Sequence, residues 1–272
     1  MEQDIEFQFD YAQATDVGCV RELNEDSIFS QSGLWLVADG MGGHACGEVA
    51  SAMAIKQISQ DFDNHGSLDN AIQTAHEQII EAGQNDVAQS GMGTTIVAMM
   101  GDKRHYQIAW VGDSRAYLWD TKLAKLTQIS EDHSLMVRLV NAGLITAEDA
   151  VNHPQRHMIT QCLGSTEIGQ VKVDTVEKDW NGGQQVLLCS DGLTDEVPDT
   201  LIAEIMAAQL SVQEKTEALV RAAKQAGGRD NISLIIVESP IKRSLTLLQK
   251  MRNFLVGRFS DQTGPFFDDN NN

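Results

Sequence analysis

The chain has 272 residues, of which 42% are hydrophobic and 22% charged, with only 4 prolines. This composition excludes a disordered chain, and the length allows one large folded domain or two small ones. The net charge of −19 argues against nucleic acid as a partner, because a phosphate backbone attracts the opposite charge. No apolar run approaches the roughly 18 residues of a membrane span, and the acidic N-terminus is unlike a secretory signal. The four separated cysteines form no C-x-x-C pair, and together these features predict a cytoplasmic protein.

Apolar runs predict seven β-strands, at residues 7–14, 34–38, 94–100, 107–111, 115–119, 186–190 and 232–237. Between them, Ala50, Ala54, Ile58 and Phe62 recur at helical spacing, as do Ile72, His76 and Ile79. Ser211 and Glu214 form a capping box that opens a third helix, which Gly227 and Gly228 close. Some strands follow one another directly, which favours antiparallel sheets covered by helices, an α/β sandwich, over strict βαβ alternation.

The charge changes sign near residue 240. Residues 1–241 carry a net −21 and residues 242–272 a net +2, and Pro240 lies at the change. We therefore expect a domain over 1–240 and a basic tail over 241–272 that ends in disorder. On a helix, residues 245–259 would be amphipathic, and 242–259 would dock on an acidic partner or an anionic membrane surface. Packing of the tail onto the acidic body of the same chain is the alternative.

Aspartates stand at one end of four predicted strands: Asp39, Asp113 and Asp191 follow a strand, and Asp230 precedes one. Side chains from different strands can converge at the rim of a sheet. Carboxylate oxygens are the ligands that Mg²⁺ and Mn²⁺ prefer, and a cation relieves the repulsion between them. Each Asp-Gly or Gly-Asp pair alone is more typical of a turn than of a metal site. Four together favour a metal site.

Glycines follow Asp39 at positions 40, 42, 43 and 47, and would let the backbone approach a ligand closely. Arg21 stands close to Glu25 and Asp26 in the sequence. An exposed salt bridge is one interpretation of this arginine. The other is a guanidinium that binds a phosphate beside the metal site.

Six stretches resemble the metal-dependent (type 2C) serine/threonine protein phosphatases in their compact bacterial form. They occur in the family's order between residues 10 and 238: R-E-L-N-E-D-S (21–27), L-V-A-D-G-M-G-G-H (36–44), G-M-G-T-T (91–95), V-G-D-S-R-A-Y (111–117), C-S-D-G-L-T-D (189–195) and G-G-R-D-N-I-S (227–233). The resemblance implies a four-layer α-β-β-α sandwich with two Mg²⁺ or Mn²⁺ ions at one end.

The resemblance also implies roles for individual residues. Asp39 would bridge the two cations and the Gly40 carbonyl would bind the second, while Asp191 and Asp230 would complete the first. Glu25 and Asp26 would support the second cation, directly or through water. Asp113, Asp191 and Asp195 match the residues that hold a weaker third cation in bacterial relatives. Arg21 matches the arginine that binds the phosphate.

This set of residues fits direct hydrolysis of a phosphate monoester. Two cations screen the anionic ester and lower the pKa of a shared water, so that a hydroxide bridging them attacks in line without a Cys or Ser nucleophile. Some eukaryotic relatives have a histidine where this chain has Met41, so the leaving alkoxide would take its proton from a bound water or from His44. Residues 134–165 match the family's variable flap. There His157 and Gln161 depart from the Asn and the basic residue that are common in relatives.

The sequence therefore predicts a monomeric phosphatase that hydrolyses phosphoserine and phosphothreonine in proteins and opposes a serine/threonine kinase. One alternative is a catalytically inactive relative that binds phosphoproteins, although every expected metal aspartate is present. Another keeps the chemistry but acts on an anti-sigma-factor antagonist or a similar switch. Phosphatases of that kind usually carry sensor domains, for which this chain has no room.

Overall fold

The computed structural model describes residues 8–42, 46–63, 67–86, 89–151 and 153–242. All of these except Lys242 belong to one compact unit, which ends at Ile241. Residues 243–272 lie outside the described part of the chain. The domain boundary near residue 240 and the nature of the tail, including the amphipathic helix over 245–259, therefore stay predictions.

Two five-stranded antiparallel sheets form the body of the molecule. In spatial order, the first sheet contains β1 (Tyr11–Asp16), β12 (Ile232–Glu238), β11 (Gln184–Cys189), β8 (Arg115–Asp120) and β9 (Lys125–Gln128). The second contains β10 (Asp174–Asp179), β7 (His105–Val111), β6 (Ile96–Gly101), β3 (Leu34–Ala38) and β2 (Ser27–Gln31). The short strands β4 (Gly40–Met41) and β5 (Gly93–Thr94) pair beside the second sheet's rim.

Two pairs of helices cover the sheets. The helices α1 (Gly47–Asp63) and α2 (Leu68–Asn85) pack on the second sheet, and α6 (Asp199–Ala207) and α7 (Val212–Ala226) pack on the first. Three shorter helices, α3 (Leu135–Asn141), α4 (Ala147–Val151) and α5 (Asp191–Thr194), lie near one rim. None of the helices in the described ranges is both long and apolar enough to cross a bilayer.

Alternation along the central strands explains the four layers. In β3, Leu34 and Leu36 face the helices while Trp35 and Val37 face the other sheet. In β12 the same period of two sends Ile236 toward the helices and Ile235 between the sheets. Because both faces of these strands are buried, β3 is apolar throughout and β12 is apolar except for Ser233 and Glu238. The predicted α-β-β-α sandwich is confirmed.

Several element boundaries differ from the sequence prediction. The strand expected over 7–14 spans Tyr11–Asp16 instead. Before it, the ring of Phe9 lies between the sheets and packs edge-on against Trp35, with 4.7 Å between the ring centroids. The run over 94–100 is two strands, since Thr95 leaves the ladder to bond with Asp39. The strands β2, β9 and β10 were not predicted, because they are short, polar edge segments with little apolar signal.

Candidate metal centre and active site

The register of the sheets brings the predicted carboxylates to one rim. Val111 of β7 pairs with Ile96, and Ala38 of β3 lies beside the same residue, so Asp39 and Asp113 extend from one end of the second sheet. In the first sheet, Cys189 pairs with Leu234, so Asp191 and Asp230 extend from the corresponding end.

Asp39 and Asp191, one from each sheet, lie in hydrogen-bond contact with each other. Burial raises the pKa of both carboxyl groups well above the usual range, and the charge of Asp113 raises both further. Two acids in contact cannot both ionise cheaply without a positive charge between them. The pair therefore has the character of a cation site.

Asp26 is a third buried acid, with only 8% of its surface exposed. The Ser190 hydroxyl donates to its Oδ2 at 2.9 Å, while its Oδ1 is buried and has no hydrogen-bond partner within the described part of the chain. Burial raises the pKa of Asp26 to about 6. Because a buried carboxylate oxygen without a partner is costly, this atom is available to a ligand.

Arg21 lies at the edge of the cluster. Its Nη2 donates to Asp230 Oδ2 at 2.6 Å, and its Nη1 is 3.9 Å from Glu25 Oε2. About half of the Arg21 side chain is exposed, so the guanidinium is accessible from solvent while its position is fixed by Asp230. Burial raises the pKa of Glu25. Both interpretations of Arg21 are thus compatible with the geometry, since it is ion-paired and open to an anion.

Close backbone packing accounts for two of the glycines. A Cβ on Gly40 would lie 2.2 Å from the Gly47 carbonyl oxygen and 2.4 Å from that of Glu25. A Cβ on Gly192 would lie 1.9 Å from the Asn231 carbonyl oxygen. Side chains at these positions would push apart the segments that carry the acids. Gly43 and His44 lie outside the described residues.

Sequence reasoning missed Asn231, which holds the loop that carries Arg21 and Glu25. Its Oδ1 accepts from the Glu25 amide at 2.8 Å, and its Nδ2 donates to the carbonyls of Val17 and Leu23 at 3.0 Å each. Asn231 is only 4% exposed. A buried amide directly before an apolar strand was the available signal.

Thr94 and Thr95 fix the backbone of Asp39 in a similar way. The Thr94 hydroxyl and the Thr95 amide both donate to the Asp39 carbonyl at 2.8 Å, and the Asp39 amide donates to Thr95 Oγ1 at 3.2 Å. Ser114, beside Asp113, shares a 2.7 Å hydrogen bond with Thr95 Oγ1. The bonded threonines therefore connect the segments of Asp39 and Asp113.

The residues predicted for a third cation are only partly grouped as expected. Asp191 and Asp195 have carboxylate oxygens within 4.8 Å of each other and of a nitrogen of His157. Asp113 stands close enough for its charge to raise the pKa of Asp191, and burial raises the pKa of Asp113 itself to about 6. The grouping of a flap histidine with these acids was not predicted.

The predicted flap over 134–165 contains α3 and α4 and is anchored to the body. Ser134 pairs with Ile159, and Leu163 exchanges backbone hydrogen bonds with Thr94. Gln161 accepts a hydrogen bond from the Lys172 amide at 2.9 Å, while His157 reaches the acids of the rim. Of the two residues that depart from the family pattern, Gln161 therefore contacts the backbone at Lys172, while His157 contacts an acid of the rim.

Comparison with known proteins identifies the family. The model of the family Protein phosphatase 2C matches residues 20–226. The chain belongs to the protein phosphatase 2C family. The serine/threonine phosphatase stp of Listeria welshimeri is 38% identical over 254 residues, which span 88% of this chain and 97% of that protein.

Two solved structures extend the comparison. The crystal structure of the Mycobacterium tuberculosis serine/threonine phosphatase PstP/Ppp superposes with a TM-score of 0.78 at 35% identity, over 86% of this chain and 99% of that one. The PstP catalytic domain in complex with 2 manganese ions gives a TM-score of 0.75 at 33% identity, over 85% and 97%. The predicted family, its compact bacterial form and its metal-dependent serine/threonine phosphatase activity are confirmed, and membership supports the predicted dependence on Mn²⁺ or Mg²⁺.

Proposed function

We propose that this protein phosphatase 2C hydrolyses phosphoserine and phosphothreonine in proteins at the Asp39–Asp191 cluster, with two Mg²⁺ or Mn²⁺ ions. The observation that carries the proposal is the contact between these two acids, which come from different sheets and whose pKa values are raised by burial and by the charge of Asp113. The unpartnered buried oxygen of Asp26 and the all-oxygen donor set fit hard divalent cations. The residues present therefore suit the cofactor that the family implies.

The ligand assignments are those that the resemblance to the family implies. Asp39 would contribute to both cations, Asp191 and Asp230 to the first, and the Gly40 carbonyl to the second. Glu25 and Asp26 would support the second cation. When bound, the cations would offset the charge of the phosphate monoester and lower the pKa of a water, making hydroxide available near neutral pH.

Arg21 would bind the phosphate. Its guanidinium is half-exposed, carries five donors in a planar fork, and is oriented by the 2.6 Å hydrogen bond to Asp230. That bond occupies one donor and leaves others for phosphate oxygens. Asn231 would keep Arg21 in reach by holding the carbonyls of Val17 and Leu23 on either side of it.

The substrate class also implies partners. A serine/threonine kinase would supply the phosphoproteins that this enzyme consumes, and the protein would act as a monomer. The basic segment 242–259 would dock on an acidic partner or an anionic membrane surface. Deleting residues 242–272 should leave hydrolysis of p-nitrophenyl phosphate nearly intact, and a collapse of that activity would assign the tail to the catalytic body instead.

One assay tests the proposed function. The purified chain is given p-nitrophenyl phosphate, a phosphothreonine peptide and a phosphotyrosine peptide, each with EDTA, Mg²⁺ or Mn²⁺. We expect turnover of the first two substrates only with a divalent cation, and much weaker turnover of phosphotyrosine. Full activity in EDTA would contradict the two-cation proposal, and preference for phosphotyrosine would contradict the substrate class.

A further inference from the structure

Two apolar residues stand exposed on either side of Arg21. Val20 directly precedes the arginine and is 65% exposed, and Leu23 follows it by two residues and is 54% exposed. A single apolar side chain on a protein surface is ordinary. Two of them within four positions of the chain, around the residue that would bind the phosphate, make a surface that a bound substrate can cover.

Both ends of this exposed segment are fixed to the stretch of backbone that carries Asp230. On one side, the Cys19 amide donates to the Gly228 carbonyl at 2.7 Å. On the other side, the Leu23 carbonyl accepts a hydrogen bond from Asn231 Nδ2 at 3.0 Å. Because the loop is already held in place, binding a ligand to it costs little conformational entropy. The exposed pair is thus part of an ordered loop of the candidate active site.

We propose that Val20 and Leu23 form an apolar substrate-binding surface, which selects phosphopeptides with large apolar residues near the phosphorylated threonine or serine. The inference rests on the proposed function, because Arg21 would bind the phosphate between the two side chains. Contact with an apolar substrate residue would remove both partners from water, which is favourable in proportion to the apolar area buried. A polar substrate residue at the same position would not gain this contribution.

The spacing of the pair fits an extended peptide. The Cα atoms of Val20 and Leu23 lie about 3.8 Å and at most about 7 Å from that of Arg21. In an extended peptide, the residues two before and two after the phosphorylated residue point to the same side as its phosphate, and their Cα atoms lie about 7 Å from its own. These two substrate positions are therefore the ones that we expect to contact the apolar pair.

Electrostatic attraction acts on the same substrates but does not distinguish apolar from polar side chains. The net charge of −19 attracts basic peptides at long range, whatever their uncharged residues are. Glu22, which is exposed between the two apolar residues, adds to this attraction. A test of the apolar surface therefore compares peptides of equal charge.

Leu123 offers a matched control at the other end of the first sheet. It is 73% exposed, and so at least as open to solvent as the proposed pair. The strand β8 begins with Arg115 at the rim that carries the acids and ends at Asp120, and Leu123 follows that end. Leu123→Asn removes an exposed apolar side chain without changing the surface beside Arg21.

The test uses the full chain at saturating Mn²⁺ and two phosphothreonine peptides of equal length and charge. One carries leucine two residues before and two residues after the phosphothreonine, and the other carries glutamine at both positions. We expect kcat/KM of the wild type and of Leu123→Asn to be about tenfold higher for the leucine peptide. In a double variant, Val20→Thr with Leu23→Asn, which keeps the side-chain sizes, this preference should fall to about twofold or less.

Two checks keep this result interpretable. Thermal melting shows whether the double variant folds, and each single variant should by itself lower the leucine preference about threefold. Sedimentation velocity of the wild type and the double variant gives their oligomeric states. If the wild type is a dimer that the substitutions separate, Val20 and Leu23 belong to a contact between two copies, and the proposed substrate surface is wrong.

Failure of this inference differs from failure of the proposed function. If the wild type hydrolyses both peptides with Mn²⁺ but does not prefer leucine, or if the double variant keeps the preference, the substrate surface is wrong and the proposed function stands. If the wild type hydrolyses neither peptide with Mn²⁺, the proposed function is contradicted, and the inference that rests on it is overturned as well.

Discussion

Asp113 and Asp132 are two acids at the same rim with opposite surroundings. Asp132 accepts hydrogen bonds from Nε of Arg115 at 3.0 Å and from its Nη2 at 2.6 Å, and its side chain is only 9% exposed. Burial raises the pKa of Asp113 to about 6, and the charges of Asp132 and Asp195 add to this effect. Arg115 forms an ion pair with Asp132, whereas its charge only partly offsets the raised pKa of Asp113.

The same division holds for other acids near the site. Hydrogen bonds from Lys224 and Arg229 lower the pKa values of Asp16 and Glu196, respectively. Burial raises those of Asp26, Asp39 and Asp191, which accept no hydrogen bond from a Lys or Arg among the described residues. Acids that serve the fold are thus paired with cationic side chains. Acids that gather without one make the protein dependent on a cation from solution.

The largest effect is expected on activity when an unpaired acid loses its charge. Asp39→Asn or Asp191→Asn should reduce kcat at saturating Mn²⁺ by about a thousandfold or more, because each would remove a proposed cation ligand and a charge near the reacting phosphate. Asp230→Asn should do the same. The measurement is steady-state hydrolysis of p-nitrophenyl phosphate across a Mn²⁺ titration.

Asp16→Asn is the matched control, since it neutralises an acid already paired with Lys224. Its activity should stay near that of the wild type. Near wild-type activity of Asp191→Asn at saturating Mn²⁺ would contradict the two-cation mechanism.

Neutralising an acid that is paired with Lys or Arg should instead change the free energy of unfolding. Asp132→Asn should lower the free energy of unfolding by about 3 kcal/mol, because it leaves the partly buried Arg115 guanidinium without its carboxylate. Urea unfolding in EDTA measures this value apart from metal binding. Asp16→Asn should cost about 1 kcal/mol or less, since its pair with Lys224 is more exposed. Equal losses would mean that burial does not distinguish the two pairs.

Asp113→Asn should raise the free energy of unfolding of the metal-free protein, the opposite of the effect of Asp132→Asn. Burial raises the pKa of Asp113 to about 6 in the folded state, whereas the unfolded chain releases this proton near the ordinary aspartate pKa of 3.8. Stability from this group is therefore lost as pH rises from about 4 to about 6. At pH 7 in EDTA the variant should be more stable by about 2–3 kcal/mol, at 1.36 kcal/mol per pKa unit.

Below about pH 4 the difference between Asp113→Asn and the wild type should vanish, because both then carry a neutral side chain. Urea unfolding at several pH values follows this convergence. If the variant is less stable than the wild type at pH 7, the negative charge of Asp113 does not destabilise the metal-free fold.

The acids without a cationic partner could be predicted from the sequence, whereas the ion pairs could not. The apolar run of β3 ends at Asp39 and that of β11 ends just before Asp191, so local pattern and family motifs located the unpaired acids. The pairs could not be found in this way, because Asp132 lies 17 residues from Arg115, and Asp16 lies 208 from Lys224. They depend on sheet register and helix packing. The same reason hid the contact between His157 and Asp195, since only the folded flap brings them together.

Asp230 belongs to both classes, because it is a proposed cation ligand and also accepts a hydrogen bond from Arg21. Removing Arg21 should have the smallest effect on catalysis. Arg21→Ala removes a charge-assisted phosphate contact, worth about 1.5–3 kcal/mol, so KM for a phosphothreonine peptide should rise roughly 10- to 100-fold. Because Arg21 would bind the phosphate equally in ground and transition states, kcat should change little. Arg21→Lys keeps the charge but loses the planar fork, so its KM should lie between those of the wild type and Arg21→Ala. A fall in kcat that matches the Asp230→Asn variant would instead mean that Arg21 acts chiefly by orienting Asp230, whose Oδ2 it contacts at 2.6 Å.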